Sequence, residues 1–374
     1  MVSAFKSKFT YVTLLLLAVV SSSVLKFKTH ASFKDVGLLL GGTPTFGTFE
    51  NGIANSGQMM GNGAQLAGTD AFIDSGGVMS NSGGFAGSYR NGRAINSSDE
   101  ITGESTVSMR EENKHASVNS GGAVHDDLGI LGTTDSFGAA INNTGQIAGF
   151  SNPPTGGWND FLYSSGVMTD PGTSGGSYSY GNGISGARQV ASANDTPNGN
   201  TQASFDAGGF MSSSDTSGGA SSARYGTNNS GQVTEKGVAP SSDTHAFISS
   251  NGVASNLSAS PDVSSIDSGI SDSGQLIGGS NVLGDNTQPF LTTAGLKNDI
   301  KSSIVAPALT LQQASGIDDS GQIVKTPRDT SSRAFTFQVT PQNGAHVTDS
   351  SNSAFLLSCG LMSLALLRRF LIAA

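Results

Sequence analysis

The chain has little of what disulfide-stapled or catalytic proteins are usually built from. One cysteine in 374 residues excludes an internal disulfide framework, so stability has to come from packing. Tryptophan occurs once, histidine five times, and charged residues make up only 13% of the chain. Basic residues are the scarcer charge, 19 Lys and Arg against 28 Asp and Glu, for a net charge of −9. Nucleic acid and anionic lipid both select a basic face, and neither is an expected partner. No ordered Ser-His-Asp set, nucleophile elbow or phosphate loop is present. The reading is therefore of a protein that is not an enzyme, with no catalytic residue, cofactor or metal assigned.

What the chain has in excess is glycine. Its 51 glycines are roughly double the average usage of about 7%. With Ser, Thr and Asn abundant and Val, Ile and Phe evenly spread, this composition fits many short strands joined by tight turns. Two apolar runs stand apart from it. Lys6 and Lys8 precede the run Tyr11–Val20, followed by Ser21, Ser22 and Ser23 and by Ala31. That layout reads as an export signal, too short to span a bilayer, with cleavage expected after Ala31. At the other end Ala354–Leu367 is apolar and is followed by Arg368 and Arg369, the pattern of a membrane stop with its positive end inside. Cys359 lies in this run, where it reads as a small apolar residue.

Between these ends a phrase recurs. "INNTGQIAG" at Ile141–Gly149 returns as "ISDSGQLIGG" from Ile270 and "IDDSGQIVK" from Ile317. Its Gln falls at Gln58, Gln146, Gln189, Gln232, Gln275 and Gln322, with Glu100 completing the set, at spacings of 42, 46, 43, 43, 43 and 47 residues. A period near 43 is that of a four-stranded propeller blade. Asn, Asp and Ser hydrogen-bond their own backbone in turns, and Gly supplies positive φ, so each phrase predicts a hairpin with a bulge. Arg188 in the Gly slot predicts a rebuilt or loose turn. A second phrase keeps step around Phe72, Phe161 and Phe247, with weaker copies at Phe205, Phe290 and Phe335, and Ser117 leaves the second unit poorly filled. A third, "KDVGLLLGG" from Lys34, echoes in "DDLGILG" from Asp126. One unit buries about four large apolar side chains, at about 1.5–3 kcal/mol each, against backbone entropy of about 1–2 kcal/mol for each of some 43 residues. A lone unit cannot fold, and the units must stack.

These phased phrases resemble the HAF-repeat family of extracellular proteins, over about Phe33–Val339, with the His-Ala-Phe triplet intact at His245, Ala246 and Phe247. The C-terminal segment resembles the sorting signals of exosortase substrates, the PEP-CTERM class, and is closest to the variant with a Val-Pro-Asp-Ser-Gly-Ser-Thr motif. Val347, Asp349, Ser350 and Ser353 sit in register with that motif, Thr348 and Ser351 depart from it, and Arg368 and Arg369 supply the basic pair. The resemblance implies an exosortase-type processing enzyme as partner, transient residence in the inner membrane, and delivery to the cell surface or extracellular matrix.

The expected architecture is all-β: residues 32–340 as a seven-repeat β-propeller closed by an N-terminal strand, with a β-helix or solenoid as the alternative. Residues 1–31 form the signal peptide, 341–353 a linker with the sorting motif, and 354–374 a hydrophobic helix with its Arg pair. The first Asp-Val-Gly phrase, Asp35–Gly37, supplies what the last unit lacks, so the N-terminal strand is expected to complete the final sheet beside Phe335.

Among chemistry-bearing residues, His125, Asp126 and Asp127 form a metal-like cluster that reads better as the repeated Asp-Leu-Gly turn. Arg90, Arg93, Arg328 and Arg333 share no repeat phase and read as surface charges. Trp158 and Tyr163 flank the third Phe phrase, and Tyr178 and Tyr180 follow it; Trp158 and Tyr163 are the candidate glycan contacts. The expected role is structural or adhesive, within exopolysaccharide, with a carbohydrate-binding propeller and then a propeller glycosidase or lyase as alternatives.

Overall fold

The computed structural model describes residues 32–340, apart from segments 36–48, 301–313 and 326–336 and shorter stretches in the loops. The export-like segment, the sorting motif with Val347, Asp349, Ser350 and Ser353, the Arg368–Arg369 pair and the C-terminal apolar run lie outside the described residues. The described elements are all strands, so among the described residues no helix is long and apolar enough to cross a membrane.

The strands group into seven four-stranded sheets, each with neighbours in chain order except the last. Phe49–Ile53, Met59–Gln65, Gly68–Ser75 and Val78–Asn81 make the first sheet, and Arg90–Ile95, Glu100–Thr106, Lys114–Ser120 and His125–Asp127 the second. The third spans Ser136 to Thr169, the fourth Ser179 to Ser213, the fifth Ser222 to Asn256 and the sixth Asp262 to Asp299. Gly316–Ile317 and Ile323–Lys325 begin the seventh. All pairings within the sheets are antiparallel, which is the geometry of consecutive hairpins and not of stacked parallel coils. The first strand of each sheet adjoins the first strand of the next, and that of the seventh adjoins that of the first.

The seventh sheet is completed from the other end of the chain. Ser32–Asp35 pairs antiparallel with Phe337–Thr340, Ser32 opposite Thr340 and Asp35 opposite Phe337. This is the closure expected from the phrase order, though Phe335 itself lies outside the described residues. The N-terminal strand thereby takes the outer place that the fourth strand holds in the other six sheets.

The core is divided among the joints between sheets. Ala54 and Met60 of the first sheet pack with Ile95 and Ile101 of the second. Ala116 and Leu128 of the second pack with Ile141, Ile147 and Phe161 of the third. Ala246 and Leu257 pack with Leu276 and Phe290, and Ile277 and Ile300 with Ala314 and Ile323. Leu128, Leu257 and Ile300 hold one position, just past the fourth strand, and explain the Leu of the Asp-Leu-Gly phrase. Each sheet shields its apolar residues only with a neighbour's help.

Glycine on the second strand makes room for the Phe phrase. Gly61 stands opposite Phe72, Gly149 opposite Phe161 and Gly278 opposite Phe290. A Cβ on Gly149 would lie 2.0 Å from the Phe137 carbonyl and 2.7 Å from the Phe161 ring. Two sheets lack the aromatic. In the second, Ser117 faces Gly103, and a cleft lined by Ala71, Ile101, Glu104 and Ser117 is left at the joint with the first sheet. In the fourth, contrary to the sequence reading, Ser204 takes the slot opposite Ser192. Phe205 falls one residue along and is only half-buried. A one-residue step turns a side chain to the other face of the sheet.

Candidate functional site

The two ends of each sheet differ in kind. At one end lie the hairpins joining first and second strands. All seven share one backbone pattern, for example Asn142 N–H to the Gln146 carbonyl at 3.0 Å and Gly145 N–H to the Asn142 carbonyl at 3.1 Å. The fifth residue of each phrase is left-handed, with φ of 80° at Gly57, 73° at Gly145 and 77° at Gly321. Asp99 at 65° and Arg188 at 66° adopt the same conformation. The expectation of a rebuilt turn at Arg188 is thus corrected. Its hydrogen bonds are intact, Arg188 N–H to the Ser185 carbonyl at 3.0 Å and Ser185 N–H to the Gln189 carbonyl at 2.9 Å, in a backbone conformation that arginine alone would avoid.

Side chains link each hairpin to the next. The third residue accepts from the backbone N–H of the preceding hairpin: Asn143 from Ser97 at 2.9 Å, Asp272 from Asn229 at 2.8 Å, Asp319 from Asp272 at 2.7 Å and Asn55 from Asp319 at 2.9 Å. Asn229 serves Gly186 in the same way. The sixth residue reaches the left-handed residue of the following hairpin. Gln58 donates to Asp99 at 2.7 Å, and a Cβ on Gly321 would lie 2.9 Å from the Gln275 amide oxygen. The Gly-Gln pair therefore has two causes, positive φ and the close approach of the previous unit's glutamine. This lattice crosses from the seventh sheet back to the first through Asp319 and Asn55.

A second set of joints was missed in the sequence. Ser136, Ser179, Ser222 and Ser265 recur at intervals of 43 residues and are buried. Their hydroxyls accept the backbone N–H of Ala116, Asp160, Ala203 and Ala246 in the preceding sheet, at 2.7–2.9 Å. Serine is too common in this chain for such a slot to stand out, but its strict phase was the available signal.

The far end of the second to fourth sheets is not repetitive. Phe137 and Phe150, opposite one another in the third sheet, stack with ring centroids 5.1 Å apart. Trp158 lies 5.5 Å from each. Tyr180 of the fourth sheet meets Phe150 edge-on at 5.1 Å, and Tyr178 lies parallel to Tyr180 at 6.5 Å. Trp158 and Tyr178 also form a parallel bridge, and Tyr178 is 40% exposed. On the second-sheet side the Arg93 guanidinium covers Phe137 at 5.5 Å and is held by Glu104 at 2.6 Å. Asn91 donates to the same buried carboxylate at 2.8 Å. Arg93 is thus no simple surface charge. Nor is Arg90, which takes the serine slot of its sheet and bonds Asp70 of the first sheet at 2.5 Å. Arg328 and Arg333 lie outside the described residues.

The two candidate glycan contacts separate. Trp158 belongs to this aromatic arc. Tyr163 packs on the cluster of Leu128, Ile147 and Phe161 within the joint of the second and third sheets. Trp158 lies just before the strand Asn159–Ser164 and bridges to Tyr178, whereas Tyr163 lies within that strand. Phe137 and Tyr180 hold the same position in consecutive repeats, a signal that could have located the arc.

Beneath the arc Asp160 is fully buried. It sits where other sheets carry Ala71, Ala116 or Ala246, and takes hydroxyl hydrogen bonds from Ser179 at 2.8 Å and Ser192 at 2.7 Å. Burial pushes its carboxyl up to about 6 against the pull of those two hydroxyls. Tyr89, with the Lys114 ammonium 4.3 Å from its ring, is likewise raised, first by burial and then by Glu104. Asp127 of the metal-like cluster bonds His115 at 2.9 Å and the Gly129 N–H at 2.8 Å, the pattern of a structural turn. Among the described residues no group of three potential ligands is placed to hold a metal. The arc can stack flat apolar faces; its one cation is already paired.

The fold is that of a β-propeller. The β-propeller domain of the Trilobed protease from Pyrococcus furiosus, described as having an open velcro topology, superposes with a TM-score of 0.52 at 9% identity, over 78% of this chain and 93% of that one. A puromycin-hydrolyzing peptidase of Mycobacterium tuberculosis superposes with a TM-score of 0.54 at 9% identity, over 84% of this chain. The match spans 55% of that peptidase's length. At such identity the likeness is one of fold alone. Peptidases share this fold, so it lends no weight to the expectation of a non-enzyme. No family model and no curated protein matches the sequence.

Proposed function

We propose that the protein is an exported seven-bladed β-propeller with a structural or adhesive role at the cell surface or in the extracellular matrix, released through its C-terminal sorting signal. The observation that carries this is where the ring completes itself. Pairing of Ser32–Asp35 with Phe337–Thr340 closes the seventh sheet within residues 32–340. The export-like segment and the sorting motif Val347, Asp349, Ser350 and Ser353 fall beyond that pairing, so an exosortase-type enzyme can remove the tail without cutting a blade. Mass spectrometry of the secreted protein tests this. A mature N-terminus near Ser32 and a C-terminus near Ser353 are expected; an intact Ala374 in the membrane fraction contradicts the sorting step.

The aromatic arc favours a second reading, carbohydrate binding. Tyr178 presents an exposed ring beside Trp158, and aromatic faces stack on sugar rings. The test is retention on polysaccharide, including exopolysaccharide, by the secreted protein and by Tyr178→Ala. Loss of retention in a folded variant supports the reading; equal retention removes the arc from it.

A further inference from the structure

The seventh hairpin differs from its counterparts at one buried atom. In the second, third and fifth hairpins the second position is Asn96, Asn142 or Asn228. Each amide nitrogen donates twice. One bond goes to the side-chain oxygen of the sixth position, Glu100 at 2.6 Å, Gln146 at 2.9 Å and Gln232 at 2.8 Å. The other goes to the second-position carbonyl of the following hairpin, Asn142, Ser185 or Ser271, at 3.0 Å in every case. Each amide oxygen accepts the backbone N–H of the sixth position, again at 3.0 Å.

In the seventh hairpin this seat holds Asp318, 1% exposed. Its Oδ1 keeps the equivalent bond from Gln322 N–H at 2.7 Å. Oδ2 therefore occupies the place of the amide nitrogen, where the corresponding acceptors are the Gln322 side-chain oxygen and the Ala54 carbonyl. It is buried with no hydrogen-bond partner. An ionised carboxylate has no hydrogen to offer such a seat, whereas a protonated one has a single O–H. A buried polar atom without a partner destabilises the fold that holds it. We propose that Asp318 is a proton-binding site at the joint between the seventh and first sheets, its protonated Oδ2 donating where asparagine donates elsewhere, so that acid strengthens closure of the ring.

The surroundings favour uptake of that proton. Asp319 of the same hairpin, Asp272 of the sixth, which bonds Asp319, and buried Asp74 of the first sheet, opposite the Met59 that packs on Val324, are acidic groups near the joint; the first hairpin, Ala54–Gln58, brings none. The basic groups Arg90, Arg93 and His115 are paired elsewhere. Burial pushes the Asp318 carboxyl up, and Asp319 adds to this against the pull of the Gln322, Ser320 and Gly321 N–H groups. At this joint Met59 packs on Val324 with Ile53 alongside.

The sign follows from linkage. An unfolded Asp releases its proton near 3.9, while folded Asp318 retains it to higher pH. Stability contributed here is complete below that value and is lost as pH rises through the folded titration. The test is thermal melting of the full chain from pH 4 to 9, beside Asp318→Asn, and beside Asp318→Ser, which copies the fourth and sixth hairpins. Asn is expected to melt a few degrees above the wild type at pH 8, with the gap closing toward pH 4. Infrared difference spectra, recorded as pH is lowered from 9, should show a protonated-carboxyl band that appears before the exposed carboxyls titrate and that both variants lack. A gap independent of pH, or an Asn variant less stable throughout, overturns the proposal. So does a rise in wild-type melting on adding calcium that Asp318→Asn lacks, which would make the seat a cation site.

Discussion

The hairpin end and the aromatic arc occupy opposite ends of the same strand pairs and follow opposite rules. At the hairpin end every unit repeats the same backbone bonds, and neighbours are joined by short polar side chains of fixed phase. The arc is made once, from rings contributed by the third and fourth sheets and a guanidinium from the second. The lesson is about redundancy. A repeated joint holds the ring with many small equivalent bonds, so no single one is decisive. A unique cluster is free to specialise, because the repeated joints already hold the sheets together.

The sharpest way to break a sheet is to fill the space that glycine leaves opposite a buried Phe, as at Gly61, Gly149 and Gly278. Gly149→Ala places a Cβ 2.0 Å from the Phe137 carbonyl oxygen, which cannot move without shifting the strand. We expect loss of more than about 4 kcal/mol, or failure to fold, read by circular dichroism and chemical denaturation. The next test sets the two ends against each other. Asn142→Ala deletes the donor to the buried Ser185 carbonyl and should cost about 2–3 kcal/mol. Trp158→Ala removes a half-buried ring and should cost a similar amount, about 2–3 kcal/mol. Only the second should alter polysaccharide retention. If both variants lose retention equally, the arc has no function separate from folding.

A smaller effect separates the ends by pH. Asp160, below the arc, is raised to about 6, so the folded state holds its proton where the unfolded chain has released it. Its contribution is greatest below about 4 and falls as pH rises to about 6. Asp160→Asn should flatten the melting profile across that window and leave the variant more stable above it, on the order of 2 kcal/mol. A profile of unchanged slope would mean the carboxylate is ionised in the fold.

What was legible in the sequence divides along the same line. The Gly-Gln phrase disclosed the hairpins because its residue types are forced twice, by positive φ and by the neighbouring glutamine. Asp-Val-Gly at Asp35 disclosed closure because a missing strand leaves a gap in the phase. The serine joints were hidden by composition, since Ser136 looks like any other serine. Phe205 misled because an aromatic one residue off phase still looks like a copy, and register, not identity, decides which face it takes. Trp158 was visible as a lone indole, but its partners Phe137 and Phe150 come from strands that only the folded sheet brings beside it. Arg93 was read by charge alone, and its place over Phe137 depends on the joint between two sheets.

Arg188 gives the smallest and cleanest test of how far the lattice overrides local preference. An arginine in the left-handed region costs about 1–2 kcal/mol relative to its ordinary conformations. Glycine there is unstrained but loses more backbone entropy on folding, about 0.5–1 kcal/mol. Arg188→Gly should therefore stabilise the protein by up to about 1 kcal/mol, seen as a small rise in denaturation midpoint with an unchanged denaturant slope. Asp99→Gly should not, because Asp99 receives the 2.7 Å bond from Gln58 and that bond would be lost. The previous unit's Gln146 donates to Ser164 at 3.1 Å, as Gln58 does to Ser75 at 2.9 Å, but Arg188 offers it no carboxylate like that of Asp99. The pair of variants thus asks whether the left-handed slot is held by its own hairpin or by its neighbour. A destabilised Arg188→Gly would show that the arginine side chain, and not the backbone pattern, holds the fourth hairpin.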